Sequence, residues 1–248
     1  MERKTYSLDL GGRTLTAEFG GYAAQTNGAV MLHYGDTVVL VTACMSKEPR
    51  EGIDFFPLLV DYEEKMYAVG KIPGSWGRRE GKPTEAAVLN ARLIDRPIRP
   101  LFPEGFRNDV QIVATVLSVD TDCVPEVAAT IGASLALLVS DIPFDLPMAG
   151  VRVGLINDQF VLNPTVKEQE QCDLYIMVSG TEEAITMVEA GANEVSEEKA
   201  LESILFAHQE IKRICQWQRS IQQEIGKEKR QVALDENDKE LEKLVFEV

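Results

Sequence analysis

Histidine is almost missing from this 248-residue chain: only His33 and His208 occur, and neither has a second histidine at metal-ligand spacing. That inventory argues against a histidine-based metal centre and against a Ser-His-Asp triad. Cysteine is scarce as well. Cys44, Cys123, Cys172 and Cys215 lie far apart and form no C-x-x-C pair, which suits buried thiols in a reducing compartment and speaks against a zinc site. Long hydrophobic runs are absent; the longest apolar stretch falls within IGASLALLV, Ile131 to Val139, against the ~20 residues a membrane span needs. No membrane association is expected. The opening MERKTYSLDL carries no apolar segment of secretory length, so a cytoplasmic location is the simplest expectation. Positive charge is also in deficit, with 25 Lys and Arg against 40 Asp and Glu and a formal net charge of -15. No 20- to 50-residue repeat, low-complexity tract or heptad array is present.

What remains is the composition of an ordinary globular protein, 45% hydrophobic and 26% charged. The first third reads as strands. TYSLDL and RTLTAEF alternate about Gly11-Gly12, GAVMLHYG and TVVLVTACM flank Gly35-Asp36, and FFPLLVDYEE supplies a fifth strand. A helix is expected from Thr84 as N-cap, faltering near Arg96 because Pro97, Pro100 and Pro103 follow. DVQIVATVLSVD predicts a long strand, and PEVAATIGASLALLVS a helix whose small residues suit tight packing. MAGVRVGLI, QFVLN, DLYIMVSG and AITMVEAG predict a second β-rich unit. Ser196 then caps a long helix with apolar positions Leu201, Ile204, Leu205, Ile211, Ile214, Cys215, Ile221 and Ile225. Lys227 to Asp238 reads as a linker before a further amphipathic segment, DKELEKLVFEV, which ends without a capping signal and suggests a chain cut inside a longer protein. The pattern is α+β with segregated elements.

The average charge conceals polarity. Between Lys65 and Arg107 nine basic residues face four acids, whereas from Glu168 to the end nine basic residues face nineteen acids. Such a band attracts a polyanion to one face, or is simply a solvated surface. Its centre is GSWGRRE, an open loop by its glycines Gly74, Gly77 and Gly81 and by Pro73. Arg78 and Arg79 suit phosphate oxygens, and Trp76 offers a face for a base of single-stranded nucleic acid unless it anchors the loop to the core. Downstream, Arg92, Arg96 and Arg99 make one basic stripe on a continuous helix, or salt bridges to Asp95, Glu104 or neighbouring strands.

The run KIPGSWGRREGKPTEAAVLNARLIDRPIRPLFPEGFRNDVQIVATVLSVD resembles the first core of the bacterial polynucleotide phosphorylase family. DFFPLLVDYEEKMYAVG before it and FVLNPT and MVSGTEEAITMVEAGANEVSEE after it match too, so the resemblance covers nearly the whole chain. It implies a ribonuclease PH-like core of the ribosomal protein S5 domain 2-like βα fold, a following α/β subdomain and C-terminal helices. The expected division is 1–145 for the first part of the core, 146–226 for its second α/β part with the long helix, and 227–248 for the linker and start of a helical domain. Members carry two such cores and further RNA-binding domains. Three copies form a ring around a channel, and the enzyme degrades RNA, mRNA included, from its 3′ end with inorganic phosphate, releasing nucleoside diphosphates. The resemblance makes single-stranded RNA the partner of Trp76, Arg78, Arg79, Arg92, Arg96 and Arg99, and a homotrimer the assembly. In the family the loop usually carries an apolar pair where Trp76 and Gly77 stand, which implies a looser constriction here.

The resemblance places magnesium and the chemistry in the second core, on a strand like G-D-M-D-F-K-V-A-G-T with another aspartate four residues upstream of its first. Aligned on Gly-Thr, CDLYIMVSGT of this chain has Tyr175 for the second aspartate, Met177 for the lysine and Gln169 for the upstream aspartate; only Asp173 keeps a carboxylate. Pro125 and Glu126 stand where a phosphate-binding turn carries serine. Tyrosine and methionine do not hold magnesium as carboxylates do, so no catalytic residue and no metal is expected in this chain. Asp173, Asp120 and Asp122 read as strand-end or turn carboxylates. Two rival readings stay open: a self-sufficient ribonuclease PH-type enzyme, and a non-enzymatic RNA-binding module.

Overall fold

A computed structural model describes residues 3–74, 76–232 and 234. Two sheets hold the chain together. The first has six strands, β1 (Lys4–Leu10), β2 (Arg13–Phe19), β3 (Gly28–Tyr34), β4 (Thr37–Met45), β5 (Leu58–Glu64) and β6 (Val110–Ser118), in the order β1-β2-β3-β4-β6-β5. All neighbours are antiparallel except β5 and β6, which pair in parallel because helix α1 (Glu85–Ile98) lies between them in the chain and returns it to the same end of the sheet. The second sheet contains β7 (Ala149–Ile156), β8 (Gln159–Leu162), β9 (Leu174–Gly180) and β10 (Ile185–Ala192), in the order β10-β9-β7-β8 and antiparallel throughout.

Helix α2 (Pro125–Val139) is packed between β3 and β4 on one side and β7 and α4 (Glu197–Ile225) on the other, and every residue from Glu126 to Val139 is buried. Its small residues allow this. A Cβ added to Gly132 would stand 2.6 Å from Val41 Cγ2, and one added to Gly28 of β3 would collide with the Ala136 carbonyl, so backbone meets sheet directly at both positions. On α4 the buried line is Ser203, Ala207, Ile211, Ile214, Cys215, Gln218 and Ile221, while Leu201 and Leu205, expected on the apolar face, are exposed. Ser203 and Ala207 take the inward positions because the helix lies close to β7 and β9, where a leucine would hold it off.

Three sequence expectations shift. FFPLLVDYEE becomes a strand only at Leu58; Phe56 leaves the sheet to pack against Phe102 and Phe106, with ring centroids 4.7 and 5.2 Å away. Helix α1, capped as expected by Thr84 Oγ1 accepting from Ala87 N, does not falter at Arg96 but runs through Pro97 to Ile98. Proline there forfeits a single hydrogen bond in the last turn, Arg99 N still reaches Asp95 O, and burial of Pro97 and Ile98 offsets the loss. The short α3 (Val166–Gln169) was not anticipated, although its Thr165–Glu168 capping box is written in the sequence.

Residues 227–232 carry neither helix nor strand and are docked on the body. Lys227 N donates to Val139 O at 3.1 Å, Arg230 Nε to Asp141 Oδ2 at 2.5 Å, and the Lys229 ammonium to the carbonyls of Leu137, Leu138 and Ser140. The segment DKELEKLVFEV lies outside the described residues. No described helix is long and apolar enough to cross a membrane.

Candidate nucleic-acid interface

The loop between β5 and α1 stands away from the body. A Cβ at Gly74, Gly77 or Gly81 would meet nothing within 4 Å, and the Trp76 side chain is fully exposed. Trp76 therefore does not anchor the loop in the core, which leaves its indole faces available to a partner. Arg78 beside it is exposed and left-handed, at φ +45°. Arg79 faces a depression of about 660 Å³ that also takes in Lys82, Thr84 and the first turn of α1. The far end of the loop is fastened. Glu80 Oε1 accepts from Met66 N at 2.7 Å, and its other oxygen lies 3.3 Å from Lys65 Nζ; that backbone donor first, then Lys65, hold its carboxyl below the usual range.

The three downstream arginines separate. Arg92 is exposed on α1 and makes no hydrogen bond or ion pair among the described residues. Arg96, one turn on, is exposed and only 3.9 Å from the equally exposed Glu189 of β10, a weak contact. Arg99 instead turns inward to the protein. Its guanidinium reaches Asp95 at 2.7 Å and donates to the carbonyls of Phe56 and Leu58, both at 3.0 Å. The Leu58 carbonyl lies on the outer edge of β5, since Pro57 O points the other way to Val110 N, and the Phe56 carbonyl, just before the strand, also accepts from Leu58 N at 3.1 Å. Arg99 thus closes a sheet edge, the salt-bridge reading of the sequence, while Arg92 and Arg96 share one open face with the loop's helix.

On the other side of α1, at the positions where the resemblance calls for carboxylates, lysine and serine, the cleft is filled. Arg152 of β7 lies opposite Met177 of β9, and its Nη2 is 2.6 Å from Glu126 Oε1 at the start of α2. Nη1 donates to the Tyr175 hydroxyl, and the guanidinium sits 5.0 Å from the Tyr175 ring centre. Burial raises the Tyr175 pKa, with Arg152 opposing, so the phenol stays protonated. Met177 packs with Leu93 and Met187. This donor set does not fit magnesium: the Glu126 carboxylate is already paired with Arg152, and its neighbours are a phenol and a thioether. Asp173 is a strand-end residue whose N–H and carbonyl join Leu155 and Asn193, and Asp120 is a turn carboxylate accepting from the Asp122 and Asp36 N–H groups. Among the described residues no three His, Cys, Asp or Glu side chains group as a metal site.

Arg152 escaped sequence reading. Its signal was a lone charge inside the apolar strand MAGVRVGLI, which implies a buried partner without naming it.

Comparison with known proteins bears on this arrangement. The model of the 3′ exoribonuclease family, domain 1, matches residues 11–143, and that of domain 2 matches residues 147–210. The chain is 58% identical over 244 residues to the polyribonucleotide nucleotidyltransferase of Heliobacterium modesticaldum and 59% identical over 241 residues to that of Anoxybacillus flavithermus. These matches cover 98% and 97% of the chain but 34% of each relative, so the chain spans about a third of the length of the curated relatives it matches. Rice Rrp46 superposes with a TM-score of 0.66 at 15% identity over 89% of this chain and 95% of that one, a likeness of fold.

Proposed function

Because this chain belongs to the 3′ exoribonuclease family, we propose that it is the RNA-guiding, non-catalytic first core of a phosphorolytic 3′-to-5′ exoribonuclease, a polyribonucleotide nucleotidyltransferase. On this reading the loop at Trp76, Arg78 and Arg79 grips single-stranded RNA at the mouth of a ring of three copies. Arg92 and Arg96 carry the strand onward, and Arg99 supports them by holding the edge of β5. Phosphate, magnesium and the release of nucleoside diphosphates belong to a second core beyond this chain. Residues 1–145 and 146–226 are two parts of one core, and 227–248 lead out of it. The setting is mRNA degradation in the cytoplasm.

One observation supports the reading most: the Glu126–Arg152 pair, Tyr175 and Met177 stand at or beside the positions that the resemblance gives to metal and phosphate ligands, while the basic loop is left open to solvent. Phosphoryl transfer needs anionic oxygens for a cation and free donors for the attacking phosphate. Here the donor is spent on the acceptor.

The test is phosphate-dependent release of nucleoside diphosphate from a single-stranded homopolymer by the 248-residue chain, with magnesium present and omitted. No release is expected. Magnesium-dependent release would overturn the assignment and make this a self-sufficient ribonuclease PH-type enzyme.

A further inference from the structure

Beside the loop, the chain makes one short helical turn, Met66–Val69, that exposes an aromatic ring without any evident structural return. Tyr67 is 57% exposed, and Ile72 next to it is 68% exposed. Yet the backbone under Tyr67 is held from three directions. Within the turn, Ala68 N donates to Lys65 O at 2.9 Å, Gly70 N to Tyr67 O at 3.0 Å and Lys71 N to Met66 O at 2.9 Å, with Gly70 left-handed at φ +68°. From the end of β6, Val119 N reaches Ala68 O at 3.3 Å. From the loop, Glu80 accepts from Met66 N and pairs with Lys65, which also meets Glu63 at 2.6 Å. Tyr67, Lys71, Ile72 and Arg78, together with Lys65 and Glu80, line an open depression of about 410 Å³.

The charges around this depression are unequal. Lys65 is taken up by Glu63 and Glu80, whereas Lys71 and Arg78 are exposed and make no ion pair among the described residues. A flat ring on a fixed turn, with two unpaired cations at its rim, matches a nucleotide better than an apolar protein segment: the ring takes the base and the cations take the flanking phosphates. We propose that Tyr67, with Lys71 and Arg78, forms a second base-stacking subsite for single-stranded RNA, distinct from Trp76, and that Glu80 positions it by clasping the loop to the turn. The assignment rests on the reading of the loop as an RNA contact. Physically the two subsites differ. Trp76 stands on an open loop and must be ordered on binding, whereas the ring of Tyr67 stands on a backbone already fixed, so stacking on it sacrifices less conformational freedom. Both tolerate any base, because every base has a π-face.

The experiment uses the 248-residue chain and a fluorescein-labelled single-stranded adenosine oligoribonucleotide, followed by anisotropy across a salt series. Variants are Tyr67→Leu, Tyr67→Phe, Trp76→Leu, and Arg78→Ala with Arg79→Ala. Tyr67→Leu is expected to weaken binding roughly five- to hundredfold, the range of one lost base stack, with an unchanged salt slope because the ring releases no counterions. Tyr67→Phe is expected to bind like the parent. The Tyr67→Leu defect should shrink on an oligonucleotide of the same length with abasic sugars, whose phosphates remain but whose bases are gone. Normal binding by Tyr67→Leu, with Trp76→Leu and the arginine variant both impaired, would overturn this subsite and leave the loop reading standing. Failure of all variants to alter binding would overturn both. A phenylalanine that fails to restore binding, or a defect undiminished on abasic RNA, would exclude stacking as the role of the ring.

Discussion

Arg152 Nη2 lies 2.6 Å from Glu126 Oε1, with the two side chains only 14% and 10% exposed, at the junction of α2 with the second sheet. An isolated charge at that depth is costly, so each partner makes the other tolerable. Arg152→Met is expected to lower stability by about 3–5 kcal/mol by stranding Glu126, and the double change with Glu126→Gln to recover much of that loss. Urea unfolding of the single and double variants checks it; a single variant as stable as the parent would deny that the pair is buried and coupled.

The open loop predicts an ionic signature. Each phosphate contact on a single strand contributes about -0.7 to the slope of log binding constant against log salt, so Arg78→Ala with Arg79→Ala should flatten that slope by up to about 1.4. Because Trp76 is fully exposed, Trp76→Ala should change stability by no more than about 0.5 kcal/mol while weakening RNA binding. An unchanged slope in the arginine variant would remove the loop from the RNA path.

Arg99 and Arg92 should behave in opposite ways. Arg99→Ala removes the side-chain donor to the Leu58 carbonyl and the Asp95 carboxylate and one of two donors to the Phe56 carbonyl, which also accepts from Leu58 N; with the guanidinium 42% exposed, a cost of about 0.5–1.5 kcal/mol in unfolding is expected, with little change in the salt slope for RNA. Arg92→Ala should leave stability within about 0.5 kcal/mol and reduce the slope. Thermal unfolding and binding titrations on the same two proteins separate the roles.

Lys229 carries a pH dependence. Burial pushes its ammonium down to about 8, against the opposing pull of Asp145 and Asp141, although three carbonyls at the end of α2 accept from it and Arg230 pairs with Asp141 nearby. Between about pH 8 and the usual lysine value near 10.5, the unfolded chain holds a proton that the folded chain has shed, so this group makes the fold more stable as pH rises through that window. Below it both forms are charged and the folded protein bears the full cost of burying the ammonium. In Lys229→Met this contribution should vanish, seen as a smaller gain in stability than the parent shows between about pH 7 and about pH 10. A direct nitrogen NMR titration of Nζ with a midpoint near the ordinary lysine value would refute it.

Local chemistry was legible in the sequence. The alternation of β1 to β4, the glycine turns between them, the Thr84 and Ser196 caps and the small-residue helix α2 each follow from backbone preferences acting over a few residues, and all appear where the residues put them. The basic loop was legible for the same reason, since glycine and proline spacing alone excludes regular structure at Trp76. What the chain could not disclose locally was decided by contacts across it. The indole of Trp76 could have gone inward or outward, and only the folded structure shows it fully exposed. Arg92, Arg96 and Arg99 read as one stripe, but the Phe56 and Leu58 carbonyls at the start of β5, more than forty residues away in sequence, claim Arg99 alone. Arg152 and Glu126 are 26 positions apart on different elements, and their pairing exists only because α2 is buried between the sheets. A lone charge in an apolar strand announces that a partner is required; the low dielectric of the interior enforces the pairing, and tertiary packing selects which residue it is.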